Sequence, residues 1–299
     1  MYQPSQAWDG RNDGQRWHHL VKETGELAVI GFASDEGVRR NLGRPGAACA
    51  PDKLRAALGA LAVHGTPRSL KDYGDVVVSD QDLEAGQTRL ATLVASTVHH
   101  HPLTLVLGGG HETAYGSHCG LRRGLPSQHP VGIINVDAHF DLRQAQEATS
   151  GTPFYQICQE FHCGADYTVL GISRPNNTSE LFAIADSLGA SYWEEDHLNN
   201  SSLKEITDIL RERINDVDSL HLSIDLDVLS AAVAPGVSAP ATIGLDLHKV
   251  RHIITSVAAS GKLRLVDVVE LNPRFDIDDR TAKVAARLLW EVVNSLPVQ

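Results

Sequence analysis

Long apolar runs are missing from this 299-residue chain, and with them any segment that reads as membrane-spanning. The opening MYQPSQAWDGRNDGQRWHH holds no apolar stretch of the kind a secretory leader carries, so none is expected. Positive charge is also scarce: 26 Lys and Arg against 37 Asp and Glu leave a net charge of −11. That balance argues against general nucleic-acid or membrane-surface binding, since both need basic patches. A small anionic substrate is not excluded, because a few local arginines outweigh a distant negative surface. Cysteine is limited to Cys49, Cys119, Cys158 and Cys163, without the spacing of a disulfide framework, and reads as reduced thiol in a cytoplasmic protein. Cys158 and Cys163 flank His162, but four intervening residues and no second pair read as a chance spacing at the surface rather than zinc. Nucleotide fingerprints are absent too. GGGH at 108–111 fits neither G-x-G-x-x-G nor G-x-x-x-x-G-K-[ST], which disfavours a dinucleotide-binding oxidoreductase.

What is present is an alternation. Short apolar or β-branched runs at 27–32, 75–79, 103–108, 131–137, 167–173, 219–228 and 263–271, with a weaker one at 189–195, predict strands. Helices are expected over 51–61, 86–98, 203–214, 246–259 and 280–293. In the first of these, Leu54, Leu58 and Leu61 fall at helical spacing behind Pro51. Continuous apolar strands separated by helices imply a mostly parallel sheet covered on both faces, an α/β architecture. No composition break divides the chain, so a single domain over 1–299 is expected, with an N-terminal arm over 1–26. The run HHHP at 99–102 follows a helical stretch and reads as a polar helix end.

In such sheets the working residues sit just beyond the carboxyl ends of the strands. There this sequence places His111, then Asp137, His139 and Asp141, then Asp225 and Asp227, and finally Glu270. Extended backbone sends residues i, i+2 and i+4 to one side, so each group can converge on a point. Four aspartates and two histidines in one crevice repel severely unless cations offset them. Oxygen-rich ligation with two imidazoles suits Mn2+, although Fe2+, Co2+ and Zn2+ fit the same donors. Six ligands are too many for one open catalytic ion and suit two, about 3.5–4 Å apart, sharing a hydroxide. Glu112 reads as a neighbour of the metal site rather than a ligand.

GGGHE (108–112), NVDAHFDLR (135–143), SIDLDVLSAAVAPGVSAP (223–240) and VDVVELNPRFDIDDRTAKVAARL (266–288) resemble the signatures of the ureohydrolases, the arginase and agmatinase superfamily. The resemblance runs from about residue 27 to the C-terminus. It implies a three-layer α/β/α fold around an eight-stranded parallel sheet and two Mn2+ per subunit. His111, Asp137, Asp141 and Asp225 would then hold one ion, and Asp137, His139, Asp225 and Asp227 the other. Glu270 matches the carboxylate that accepts from guanidinium or amidine nitrogens and aligns the amidine carbon over the hydroxide.

One departure points to a particular branch. Arginases and agmatinases carry a histidine before the Gly of an H-G-x-P segment, whereas ATSGTPF at 148–154 has Ser150 there. This segment, with WDGR (8–11), GFASDEGVRRNLGRPGA (31–47) and LGISRPNNT (170–178), resembles formimidoylglutamases, which hydrolyse N-formimino-L-glutamate to glutamate and formamide in histidine degradation. A dicarboxylate substrate suits Arg143, two residues beyond Asp141, since a guanidinium there binds a carboxylate bidentately and repels a cationic amine. Arg174 is a second candidate, with Arg39, Arg40 and Arg44 on the loop after the first strand; Asn176 and Asn177 are adjacent polar groups.

The resemblance implies attack of the metal-bridging hydroxide on the formimino carbon, with Glu270 orienting the amidinium. With the usual histidine missing, Asp141 is expected to relay the proton to the leaving nitrogen. Ser150 has no histidine base at a motif position, so a serine hydrolase is rejected. Two alternatives stay open: another ureohydrolase acting on agmatine or a guanidino acid, and a catalytically silent metal-binding homologue. A homo-oligomer is compatible with the sequence.

Overall fold

Every run read as extended becomes a strand. The computed structural model describes residues 5–298, so residues 1–4 of the expected N-terminal arm lie outside the described residues. The strands are β1 (Leu27–Ala33), β2 (Leu70–Val77), β3 (Thr104–Leu107), β4 (Val131–Val136), β5 (Tyr167–Ile172), β6 (Ser191–Glu194), β7 (Ser219–Asp225) and β8 (Leu263–Val269). They form one eight-stranded sheet in the order β2-β1-β3-β8-β7-β4-β5-β6, and every pairing is parallel.

Ten α-helices connect and cover the strands: α1 (Glu36–Arg40), α2 (Ala50–Gly59), α3 (Leu83–His100), α4 (Thr113–Gly124), α5 (Pro153–Phe161), α6 (Ser179–Leu188), α7 (Glu195–Asn200), α8 (Leu203–Asn215), α9 (Leu247–Ala259) and α10 (Arg280–Asn294). Alternation along each strand builds the layers. Leu105 and Leu107 of β3 join Leu54 of α2, Leu210 of α8, Ile253 of α9 and Leu288 of α10 on one face. Val106, between them, packs with Leu90 and Val94 of α3 and Leu121 of α4 on the other.

Five of these helices, α1 and α4 to α7, are not among those expected from the sequence, and α4 shows one reason. Its TAYGSHCGLRRG carries three glycines, poor helix formers read one at a time. They recur every fourth residue and face α3. A Cβ on Gly116 would stand 3.0 Å from Gln87 O, one on Gly120 2.7 Å from Ala91 O, and one on Gly124 3.0 Å from Ala95 O. Close packing of α3 on α4 selects glycine there against its propensity. The HHHP run ends α3 as expected, with His101 just past the last turn.

Residues 5–26 lie along α2 and β2. Trp17 and Leu20 are buried in the core, Trp17 N–H donates to Leu61 O at 3.0 Å, and Trp8 Nε1 donates to Asp72 at 2.8 Å. Beneath them Arg55, fully buried, is held by Asp72 at 3.0 Å and Asp75 at 2.6 Å. Cys158 and Cys163 belong to the core between α5 and β5 rather than the surface, because α5 turns its apolar side inward. No helix among the described residues is long and apolar enough to cross a membrane.

Candidate metal centre and substrate pocket

The strand order explains the site. His111 follows β3, Glu270 follows β8, Asp225 and Asp227 end β7, and Asp137, His139 and Asp141 follow β4. Those four strands are consecutive neighbours in the sheet, although the chain visits them third, eighth, seventh and fourth. Parallel pairing puts all four carboxyl ends on one edge.

Ligand atoms of His111, Asp137, Asp141 and Asp225 lie within 4.8 Å of one another, as do those of Asp137, His139 and Asp227. Asp137 is common to both groups, and Asp225 falls in the first. His111 Nδ1 stands 3.1 Å from Asp137 Oδ2, 2.9 Å from Asp141 Oδ2 and 3.0 Å from Asp225 Oδ2. His139 Nδ1 is 3.3 Å from Asp227 Oδ2. Backbone amides fix the remaining oxygens: His139 N–H donates to Asp137 Oδ1 at 2.7 Å and Asp227 N–H to Asp225 Oδ1 at 2.8 Å.

A buried chain of polar groups sets the tautomer of His111. Asp267 accepts from His221 Nε2 at 2.7 Å and from the hydroxyl of Ser223. Having given its proton to Asp267, Ser223 Oγ can only accept from His111 Nε2, 3.0 Å away. In its neutral form the imidazole therefore turns a lone pair, Nδ1, toward three carboxylate oxygens, and Nδ1 has no hydrogen-bond partner among the described residues. An arrangement of acceptors facing acceptors in a dry crevice fits a divalent cation between them. Asp227 Oδ1, buried and unpartnered, is a second such atom.

Protonation reflects the same crowding. Burial and the charges of Asp227 and Asp137 push the Asp225 carboxyl well above the usual range. Burial, outweighing the help of His139, pushes Asp227 up to about 6. Asp141 is raised by burial and by Asp137. Asp137 goes the other way: burial opposes ionisation, but the adjacent His111 and His139 imidazoles outweigh it. Glu270 is raised well above its usual range by burial, then by Asp225 and Glu112. Both Asp141 (φ 48°) and Glu270 (φ 67°) hold left-handed backbone, a strain that non-glycine residues accept mainly where surroundings dictate it. Glu270 accepts from His111 N–H at 2.8 Å. Glu112 stays behind this layer, accepting from Ser34 Oγ and Gly37 N–H, both at 2.9 Å.

Above the cluster opens a cavity of about 330 Å3. Asp141, Asp225, Asp227 and Glu270 line it together with Arg44, Arg143 and Ser150. Ser150 is buried and accepts from Asn41 Nδ2 at 3.2 Å. The arginines separate by partner. Arg39 and Arg40 are both held by Glu36, and Arg40 also by Glu84. Arg174 does not line the cavity; Glu194, at the end of β6, engages its guanidinium in two hydrogen bonds, and Phe182 lies against it. Its neighbour Asn177 ties the site loops together instead, accepting from Phe140 N–H at 3.1 Å and donating to Ala138 O at 2.8 Å. Arg143 and Arg44 remain, lining the cavity without an ion pair among the described residues.

Sequence reading did not single out Ser223, Asp267 or His221. A signal existed for two of them, since His221 and Ser223 share the alternation of Asp225 and Asp227 along β7.

Fold and site together define an α/β protein with a carboxylate-rich metal-binding cluster at the carboxyl edge of its sheet. Residues 25–294 match the arginase family, and the chain is a hydrolase belonging to it. It is 48% identical over 303 residues to a formimidoylglutamase of Chromobacterium violaceum, with 97% of each chain covered. To that of Rhodococcus jostii it is 46% identical over 306 residues, covering 97% of this chain and 95% of the other. A variant of Trypanosoma cruzi formiminoglutamase solved with Mn2+ superposes with a TM-score of 0.87 at 25% identity, over 96% of this chain and 100% of that one.

Proposed function

We propose that this chain is a cytoplasmic formimidoylglutamase, hydrolysing N-formimino-L-glutamate to L-glutamate and formamide in histidine degradation, with two Mn2+ per subunit. The observation that carries the reading is Arg143, an arginine without an ion pair among the described residues, in the wall of a cavity floored by carboxylates. A dicarboxylate answers that arrangement, and agmatine, cationic at both ends, does not. His111, Asp137, Asp141 and Asp225 would hold one ion, and Asp137, His139, Asp227 and a shared Asp225 the other. Divalent ions bound there supply a nucleophilic oxygen at neutral pH and stabilise negative charge.

The protein's own groups do the rest. Glu270 accepts from the amidine N–H groups and aligns the formimino carbon over the cluster. Arg143 holds a substrate carboxylate and fixes the far end. The leaving nitrogen of glutamate must gain a proton as its C–N bond breaks. His111 and His139 are the only histidines lining the cavity among the described residues, and both belong to the cluster. Asp141, which lines the cavity and whose carboxyl burial raises, takes the proton that the attacking water gives up and passes it to the leaving nitrogen. Ser150, in the place of the histidine of arginases, shapes the wall and has no base to activate it.

The reading is tested by a product assay on manganese-reconstituted protein with formiminoglutamate, agmatine, arginine and guanidinobutyrate. Glutamate and formamide from the first alone support it. Urea from a guanidino substrate overturns the substrate assignment, and no turnover of any substrate overturns the enzyme.

A further inference from the structure

We infer that Arg44 is a specificity-determining residue that binds the second carboxylate of the substrate, the one that Arg143 does not hold. The inference rests on the dicarboxylate reading above and adds the residue that distinguishes two anionic ends from one.

The anchoring of Arg44 is the first argument. Its Nε donates to Ser238 O at 2.9 Å, Nη2 donates to Val237 O, and the guanidinium carbon lies 4.0 Å from the centre of the Phe275 ring. Its backbone is pinned as well: N–H donates to Ser238 Oγ at 2.8 Å, and its carbonyl accepts from Asn272 Nδ2 at 2.7 Å. Carbonyls and a ring face orient a guanidinium without neutralising it. Arg39 and Arg40, only a few residues earlier, have carboxylate partners; Arg44, which lines the cavity, has none among the described residues, and its hydrogen bonds are made through Nε and Nη2. A half-buried cation held so firmly without an anion suits an anion that comes and goes with the ligand.

The second argument is registration. Asn272 stands two residues beyond Glu270, so the bond to the Arg44 carbonyl ties this loop to the segment that orients the amidine. The loop is shaped for that approach. A Cβ on Gly46, where φ is +148°, would fall 2.1 Å from Asn272 Oδ1, and one on Gly43 2.7 Å from Ser238 Oγ. Two of the other polar side chains of the wall are already engaged. Asn177 is committed on both sides of its amide, and Asn41 Nδ2 is committed to Ser150.

The test compares manganese-loaded wild type with Arg44→Gln and Arg44→Lys on three substrates: formiminoglutamate, N-formimino-4-aminobutyrate without the α-carboxylate, and N-formimino-L-norvaline without the distal one. Arg44→Gln is expected to raise KM for formiminoglutamate about 30-fold or more, with a smaller change in kcat. It should penalise one mono-acid equally and leave the other unchanged, namely the one lacking the carboxylate that Arg44 binds. Arg44→Lys, which keeps the charge, should restore part of KM. Equal penalties on all three substrates, or a loss traced to melting temperature or metal content, would make Arg44 a loop staple and overturn the inference. A wild type that releases no glutamate from formiminoglutamate is a different failure: the substrate reading falls first and takes this assignment with it.

Discussion

Removing metal from this protein leaves three cluster aspartates, Asp141, Asp225 and Asp227, whose ionised forms the fold disfavours, and stability should then depend on pH in a defined direction. Asp227 makes the magnitude accessible. Its carboxyl moves from 3.8 to about 6, through burial and the charges of Asp137 and Glu270 against the help of His139. The folded state thus holds a proton that the unfolded chain has released. Stability from this group is fully present below pH 3.8 and is lost as pH rises through about 6, in total about 3 kcal/mol. Roughly half of it remains at pH 5 and almost none at pH 8. His111 and His139, raised by their carboxylate neighbours against the opposing effect of burial, work in the same direction at higher pH. Asp137, held low, is ionised throughout this window and adds no slope. For a chain of this length the loss of about 3 kcal/mol is roughly 5 °C in melting temperature. The assay is thermal melting of chelator-treated protein from pH 5 to 8, with and without MnCl2, alongside Asp227→Asn. Apo wild type should melt lower at pH 8, the gain from manganese should grow toward pH 8, and apo Asp227→Asn should melt up to about 5 °C above apo wild type there. An apo variant that melts no higher than wild type at pH 8 would refute the argument that like charge strains the empty cluster.

Four other outcomes are expected. Glu270→Gln should lower kcat/KM by about 100-fold or more, because the amidine loses its charged acceptor, while metal content by elemental analysis stays unchanged. Asp267→Asn weakens the hold on Ser223 and so on the His111 tautomer, and should reduce manganese affinity about 10–100-fold in a competitive chelator titration. Arg174→Ala should leave KM within about twofold, since Glu194 and not the cavity engages that guanidinium; a large rise in KM would return it to the substrate site. Arg55→Ala removes a buried guanidinium paired with Asp72 and Asp75 and should lower stability by about 3–5 kcal/mol in urea unfolding, with little change in KM.

Local pattern determined a great deal of this protein. Each of the eight strands was legible because an apolar, β-branched run is a property of consecutive residues, and even the weak stretch at 189–195 holds β6. The ligand spacing was legible for the same reason: alternation alone puts Asp137 beside His139 and Asp225 beside Asp227. The motifs over 108–112, 135–143, 223–240 and 266–288 carried the family. Helix α4 was not legible, because its glycines answer to the backbone of α3 rather than to the helix they stand in.

Partner choice was likewise beyond the sequence. Among five candidate anion binders the sequence favoured Arg143, then Arg174, over Arg39, Arg40 and Arg44, and only tertiary contacts show Arg39, Arg40 and Arg174 engaged by Glu36, Glu84 and Glu194 while Arg44 and Arg143 line the cavity. Nor does the chain announce that β3, β8, β7 and β4 are neighbours, or that Asp267 reaches His111 through Ser223. The bond between Ser223 and His111 spans 112 positions in the chain. Periodicity and spacing act over a few residues and survive in the sequence as pattern; strand order and the pairing of charges are set by which distant surfaces pack together, and only the folded chain brings those surfaces into contact.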